Sequence, residues 1–300
     1  MTIESNNSFL FNHISVMTNE IISSIELCRN DLLDEFTGID ATLGGGGHSY
    51  ELLKKYPNLR IIGLDQDPIA IKEALIKNNH FKERLQIKES NFADFVPSQK
   101  VSFIIADLGI NSNQLENPCR GFSFQKDGPI DMRMNPNLEI NAEKLIKKLS
   151  EKDLANLIYE YGDERYSRKI AKKIKRDLAE KGDYTGTKEF AYAIAGCFPP
   201  KQRYRRIHPA TRTFQALRIA VNQEIESLNK FLEKSPDWLL PDGIISIISF
   251  HSKEDKQVKN KFKNDERLIN ITKKPMTPTI NEIESNKRSR SAKLRIAKLR

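Results

Sequence analysis

Four consecutive glycines, Gly44 to Gly47, followed at once by His48, stand out as the residues of this chain best suited to hold a ligand. Glycine lacks a Cβ and tolerates positive φ, so such a run bends sharply beneath a bound molecule and turns backbone N–H groups toward it. Asp65 lies about twenty residues further on, the spacing that brings a carboxylate to ribose hydroxyls. A third stretch, residues 107–114, reads Asp-Leu-Gly-Ile-Asn-Ser-Asn-Gln. Its density of polar side chains is more than a turn requires, and it could face a reacting group.

These residues need a scaffold that brings them together, and the surrounding pattern predicts one. A short apolar run ends a strand at residues 38–42, and helical spacing follows over 49–56. Residues 59–65 read as a second strand ending in the acid. Asp67 is placed to cap the next helix, with Pro68 at its first position. Further strands are expected at 85–89 and 101–107. This alternation predicts an α/β fold with a doubly wound parallel sheet. Such sheets bind ligands outside the carboxyl ends of their strands, where the glycines, Asp65 and Asp107 would meet. The loop lacks the third glycine of a dinucleotide fingerprint, with Ser49 in its place. That favours S-adenosylmethionine, which carries ribose and adenine without a pyrophosphate, over a nicotinamide cofactor. Phe92, after the third strand, reads equally well as an adenine-stacking ring and as ordinary core.

Composition narrows the class. With 38% hydrophobic and 30% charged residues the chain reads as a globular protein. No run of eighteen or more apolar residues is present, and residues 1–8 lack signal-peptide character, so cytoplasmic residence without a membrane partner is expected. Three scattered cysteines form no metal spacing and are read as reduced thiols, and no metal is expected. The formal charge of +9 is concentrated: residues 201–218 hold six Lys or Arg and residues 287–300 hold seven, neither with an acid. Two basic segments on a near-neutral body point to a phosphate-bearing polymer, a nucleic acid.

Outside the strands, residues 18–27 form an amphipathic stretch that Thr18 could cap, and His13 reads as a surface histidine. From residue 115 the strand–helix rhythm stops for about a hundred residues, predicting an inserted helical domain. It opens with a turn-rich loop carrying Phe122, Phe124, Asp127, Asp131 and Arg133, followed by helical patterns near 142–149, 152–161, 164–179 and 188–197. The expected division is 1–114, 115–212 for the insertion, and 213–300. Arg206, His208 and Arg212 sit with Tyr204 in the first basic segment, pairing phosphate donors with a stacking surface. One helix is predicted over 213–234, a fifth strand over 243–250, and a last, half-exposed strand with a basic outer face over 292–298. His251 could serve in acid–base chemistry or cap the helix that follows it.

Taken together, the ordered motifs resemble the bacterial 16S ribosomal RNA cytosine-N4 methyltransferases, the small-subunit methyltransferase H family, over nearly the whole chain. The similarity rests on residues 13–20, the 40–49 loop, Asp65-Gln-Asp-Pro68, Asp107-Leu-Gly109, Arg120-Gly-Phe-Ser-Phe124, residues 127–134 and 208–215, Ser249-Phe-His-Ser252, and the basic 288–295 tail. The resemblance implies a class I, Rossmann-like methyltransferase sheet interrupted by a helical domain. It implies that Gly46, Gly47, His48, Asp65, Phe92, Asp107 and Gln114 contact S-adenosylmethionine. It also implies a decoding-centre cytidine of 16S rRNA in the small ribosomal subunit as substrate. Asn111 stands where the family commonly has a serine, and retains both hydrogen-bonding capacities.

The cytosine exocyclic amine is a weak nucleophile whose lone pair must be localised, so Asp107, and Asp131 from the insertion, are the candidate catalytic carboxylates. Arg133, Arg206, His208 and Arg212 are the candidate RNA contacts. A non-enzymatic rRNA-binding assembly factor is the alternative reading. The oligomeric state is left open, a homodimer among the options.

Overall fold

Strand β4, Val101–Asp107, is apolar apart from Ser102 and the closing acid, and all but the last of its residues are buried, the pattern of a strand covered on both faces. The computed structural model describes residues 15–28, 34–204 and 206–300; His13 and Arg205 lie outside them. Around β4 (β1–β3 precede it in the chain) a seven-stranded sheet assembles in the order β3-β2-β1-β4-β5-β7-β6. Its strands are β1 (Phe36–Asp40), β2 (Leu59–Asp65), β3 (Leu85–Glu89), β4, β5 (Leu239–Ser249), β6 (Leu268–Asn270) and β7 (Lys293–Leu299). The five strands from β3 to β5 pair in parallel, and β7 runs antiparallel to both neighbours. This is the class I, Rossmann-like methyltransferase sheet.

Two apolar layers sandwich it. Helices α1 (Thr18–Glu26), α2 (Gly47–Lys55) and α3 (Pro68–Lys77) cover one face, with Ile21, Ile25, Leu52 and Ala74 packed on Ile61, Phe103 and Ile105. On the other, α11 (Glu224–Lys234) and α12 (Ser252–Asn264) pack Leu228, Phe231, Val258 and Phe262 against Ile39, Ile104 and Ile245. After β4 and the short α4 (Ser112–Glu116) the insertion folds as α5 (Ala142–Lys148), α6 (Glu151–Gly162), α7 (Ser167–Lys181), α8 (Thr187–Gly196) and α9 (Pro200–Arg203). Its core of Ile146, Leu154, Ile158, Ile170 and Phe190 also takes in Phe214, Leu217 and Val221, all on α10 (Thr211–Asn222). The insertion is thus packed onto the helix that returns the chain to the sheet.

Several local expectations are corrected. The helix predicted over 213–234 is two, α10 and α11, because Gln223 adopts a left-handed φ of 49°. Thr18 does not cap α1; its hydroxyl donates to Ser15 O at 3.1 Å, and Met17 occupies the cap position with φ 53°. Strand β7 is not half-exposed: Leu294, Arg295, Ile296 and Ala297 are buried between β5 and β6. Its positive charges meet acids, as Arg295 Nε donates to Asp255 at 2.6 Å and Lys298 Nζ lies 2.7 Å from Asp242. The three-residue β6 was not foreseen, being too short to carry a period.

Candidate active site

The carboxyl ends of β1 to β5 surround one cavity of about 540 Å³, within the range of small-molecule pockets. At β1 the chain turns through the glycines, Gly44 with φ 52° and Gly46 with φ 74°. Gly44, Gly45 and Gly47 line the cavity. Gly46 does not: it faces α3, where Asn78 Nδ2 donates to its carbonyl at 3.2 Å and a Cβ would fall 2.3 Å from that nitrogen. Its part is to let α2 approach α3 and so fix the turn.

At β2, Asp65 Oδ2 accepts from Gly44 N at 2.8 Å and Oδ1 from Asp67 N at 2.8 Å. Burial outweighs these bonds and pushes its carboxyl up to about 6. Each oxygen keeps a lone pair for a ligand hydroxyl. Phe92, after β3, has the core contact, its ring packing edge-on against Phe231 at 5.1 Å, and also lines the cavity.

Asp67 caps α3 as the sequence predicts, accepting from Ile69 N at 3.1 Å. Its second oxygen is fully buried and accepts from Gln114 Nε2 at 2.8 Å and Arg120 Nη1 at 2.7 Å. Gln114 is held in turn by a capping box with Asn111 at the start of α4, so asparagine at 111 serves this turn. Arg120 also donates to Arg133 O and Met134 O at 2.9 and 2.8 Å. The insertion loop is thereby docked beside the end of β2, and Met134 reaches the cavity wall.

At β4, Asp107 and His48 face each other, with His48 Nε2 3.5 Å from Asp107 Oδ2. Both His48 ring nitrogens and Asp107 Oδ1 are buried without a hydrogen-bond partner. Such groups call for a ligand to complete them. Burial opposes charge on His48, but the Asp107 and Asp40 carboxylates prevail and hold its pKa above the ordinary value. Asp40 itself is buried, pushed up by desolvation, and accepts from Ser49 Oγ at 2.7 Å.

Asp131, expected to join Asp107, and Arg133, a candidate RNA contact, lie together outside this cavity. They are bound to each other, Arg133 Nη2 to Asp131 Oδ2 at 2.7 Å and Nε to Oδ1 at 2.9 Å. Arg133 Nη1 donates to Leu138 O at 2.6 Å. Burial works against the Asp131 carboxylate, yet its bonds with Arg133 hold its pKa below the usual value. The pair ties the insertion loop together, with the Arg133 and Asp131 side chains 24% and 17% exposed. Of the remaining RNA candidates, Arg206, His208 and Arg212 are exposed. Arg212 Nη1 donates to Asp163 O at 3.0 Å, and His208 packs on Phe124 with centroids 4.6 Å apart.

Sequence reasoning missed a cluster beside β5. Arg218 pairs with both oxygens of Glu224, at 2.8 and 2.7 Å, and both residues line the cavity with Asn222 and Glu254. Glu254 Oε2 accepts from Phe250 N at 2.8 Å, and Oε1 lies 3.1 Å from His251 Nε2. His251 accepts from Glu254 N through Nδ1, the helix-capping alternative of its two readings. Glu224, His251 and Glu254 bring ligand-type atoms within 4.8 Å of one another. Arg218 and backbone amides already engage the carboxylate oxygens, so this is an internally compensated network. Of its members, the sequence singles out His251 and counts Arg218 only as part of a basic segment, whereas Glu224, and Glu254 two residues past the 249–252 motif, have no assigned part there.

A sheet of this order, with a glycine turn after β1, an acid closing β2 and a second acid closing β4, defines a class I methyltransferase. The comparison with known proteins is more specific. The MraW methylase family matches residues 10–300, and the chain belongs to it. A curated relative from Prochlorococcus marinus subsp. pastoris, named Ribosomal RNA small subunit methyltransferase H, is 68% identical over 300 residues, all of both chains. One of the same name from Prochlorococcus marinus strain NATL2A is 56% identical over 96% of this chain and 94% of its own. Among solved structures, an rRNA methylase from Streptococcus thermophilus matches with a TM-score of 0.43 and 11% identity, covering 93% of this chain and 95% of that one.

Proposed function

We propose that this methylase transfers the methyl group of S-adenosylmethionine to the exocyclic N4 amine of a decoding-centre cytidine in 16S rRNA of the small ribosomal subunit, in the cytoplasm. The observation that carries the reading is the full-length identity to relatives whose names specify small-subunit rRNA. No described helix is long and apolar enough to cross a membrane.

The cavity fits this cofactor. Gly44, Gly45 and Gly47 offer close backbone approach, Asp65 has lone pairs for ribose hydroxyls, Phe92 offers a ring face, and Gln114 is fixed beside them. Bound there, S-adenosylmethionine supplies an electrophilic methyl on a sulfonium centre. The residues of the chain do the rest. Asp107 Oδ1, buried and unpartnered, accepts an N4–H of the cytosine, which localises the nitrogen lone pair and aims it. The nitrogen becomes cationic as its bond to the methyl forms and the methyl–sulfur bond breaks, the sulfur leaving as a neutral thioether, and it then releases its proton to Asp107. His48, held toward its charged form, steadies the Asp107 carboxylate and keeps its orientation.

Asp65 makes cofactor binding pH-dependent. Ribose hydroxyls donate to the carboxylate form, so affinity falls as pH drops through about 6, by up to about tenfold per unit. Its effect on folding has the opposite sense: the folded state holds the extra proton, so this group's contribution to stability declines as pH rises from about 4 to 6.

The deciding experiment incubates the protein and S-adenosylmethionine with small subunits from cells lacking this activity, then reads digested rRNA by mass spectrometry. One methyl on one cytidine N4 is the expected product; methyl on another atom or base would overturn the assignment. Asp107→Asn should slow single-turnover transfer by about 10²-fold or more, in line with the loss of one electrostatic group, with cofactor still bound. An unchanged rate would remove Asp107 from the mechanism.

A further inference from the structure

The C-terminal basic segment divides in two. Strand β7 carries Lys293, Arg295 and Lys298, all of which meet Asp255 or Asp242. The 3₁₀ turn just before it, Lys287–Ser291, carries Lys287, Arg288 and Arg290, all exposed. Among the described residues, Lys287 and Arg290 have no acidic partner within salt-bridge distance.

The turn is held rigidly. Ser289 is fully buried, its hydroxyl donating to Asn286 O at 2.8 Å, and Asn286 Oδ1 accepts from Arg288 N at 3.2 Å. The preceding helix α13 (Ile280–Ser285) is tied to α1 through Glu282 Oε1, which accepts from Met17 N at 2.7 Å. The backbone is therefore fixed while three cationic side chains project from it.

Arg288 also lines the cavity, beside Ser112 and Asn113 of α4. Its guanidinium donates to Ser112 Oγ and to Glu116 Oε1, so the basic turn and α4 meet across the cavity mouth. The Arg288 and Glu116 side chains are 38% and 35% exposed. An ion pair so hydrated is weak. A backbone phosphodiester offers the planar guanidinium two acceptor oxygens for a bidentate pair, and the charge of the neighbouring phosphates along the strand lets it compete for Arg288.

We propose that Lys287, Arg288 and Arg290 hold the RNA backbone at the mouth of the methyl-transfer cavity, and that Glu116 occupies Arg288 until a phosphate replaces it. This rests on rRNA being the substrate. It adds a second anchoring surface, on a different element from Arg206 and Arg212, placed where the strand must pass for a base to enter.

The two partners of one ion pair should then act with opposite sign. Binding to purified small ribosomal subunits is measured between about 50 and 200 mM salt. Glu116→Gln removes the internal competitor and should tighten binding about two- to fivefold, the worth of an exposed pair. Arg288→Gln should weaken it. Neutralising all three cations should lower the slope of log K against log salt by about 2, at about 0.7 per phosphate contact on single-stranded RNA.

Thermal melts of the two single variants check folding, and should Arg288→Gln fold poorly, the sign of the Glu116→Gln effect still decides. A pair that merely props the fold would make both single variants bind more weakly. That result, or an unchanged salt slope in the triple variant, overturns the proposal. Wild-type protein that transfers methyl to the subunit while these variants behave like it would sink this inference alone. Absence of salt-dependent subunit binding by wild type would sink the rRNA reading with it.

Discussion

Two segments that look alike as sequence, 201–218 with six positive residues and 287–300 with seven, are used differently by the fold. In the first, the acid-paired cation is at the end: Arg218, half-buried, is bonded through two nitrogens to Glu224 on the cavity wall, whereas Arg206 and Arg212 are exposed. In the second the exposed cations also come first, in the turn, but three acid-paired ones follow in β7, Lys293, Arg295 and Lys298. The acids that neutralise the structural cations, Glu224, Asp255 and Asp242, all lie outside the two segments. A count of charge along the chain therefore overstates the surface left for a polyanion, and only the exposed members of each segment belong to it.

This division predicts which property each arginine controls. The largest effect should come from Arg218→Ala, which leaves Glu224 and the nearby Glu254 without their cation and should cost about 3–5 kcal/mol of stability, as breaking a buried pair does. Arg295→Ala follows at the lower end of that range, because Lys293 still lies 3.4 Å from Asp255. Urea unfolding measures both, and changes below about 0.5 kcal/mol, ordinary for surface substitutions, would erase the distinction drawn here. Arg206→Ala and Arg212→Ala should do the reverse. Their stability should stay within about 0.5 kcal/mol of wild type, while each lowers the salt slope of subunit binding by about 0.7. A larger loss of stability than of affinity at Arg212 would place it with the structural cations, through its bond to Asp163 O.

The same contrast explains how much could be read in advance. Strands β2, β3 and β4 were legible to the residue, β2 and β4 as short, largely apolar runs and β3 by its apolar–polar alternation. The Asp67 cap with Pro68 was legible because capping is a local bond between neighbours. The cavity residues at the ends of β1, β2 and β4 followed from the order of the elements. What escaped depends on contacts across long sequence separations. The break at Gln223 has no glycine or proline to announce it. The pairing of Asp131 with Arg133 is only two residues long, yet nothing in the local pattern announced it. Arg218 and Glu224 sit six residues apart across that same helix break, so no single helical period brings them together. Arg288 with Glu116 spans 172 residues. The basic outer face expected of the last strand failed for the same reason, since Asp255 sits on α12.

The smallest effect belongs to His208, which lies between the two kinds of residue: exposed like Arg206, yet packed on Phe124. Partial burial lowers its pKa from the ordinary histidine value. Its Nδ1 accepts from Ala210 N at 3.1 Å, a bond available only to the ring with an unprotonated Nδ1, which disfavours the charged form further. With the folded pKa depressed, the unfolded chain takes up its proton first as pH falls below about 6.5. Stability associated with this residue is thus present at neutral pH and declines on acidification. His208→Gln should flatten that decline, seen as a smaller difference between unfolding midpoints at pH 7 and at the acid end of the histidine range. The residue would then be neutral when it meets RNA, contributing a ring and a hydrogen bond where Arg206 contributes charge. A His208→Gln variant whose salt slope falls as much as that of Arg206→Ala would show instead that His208 binds as a cation, and would move it to the phosphate-contacting group.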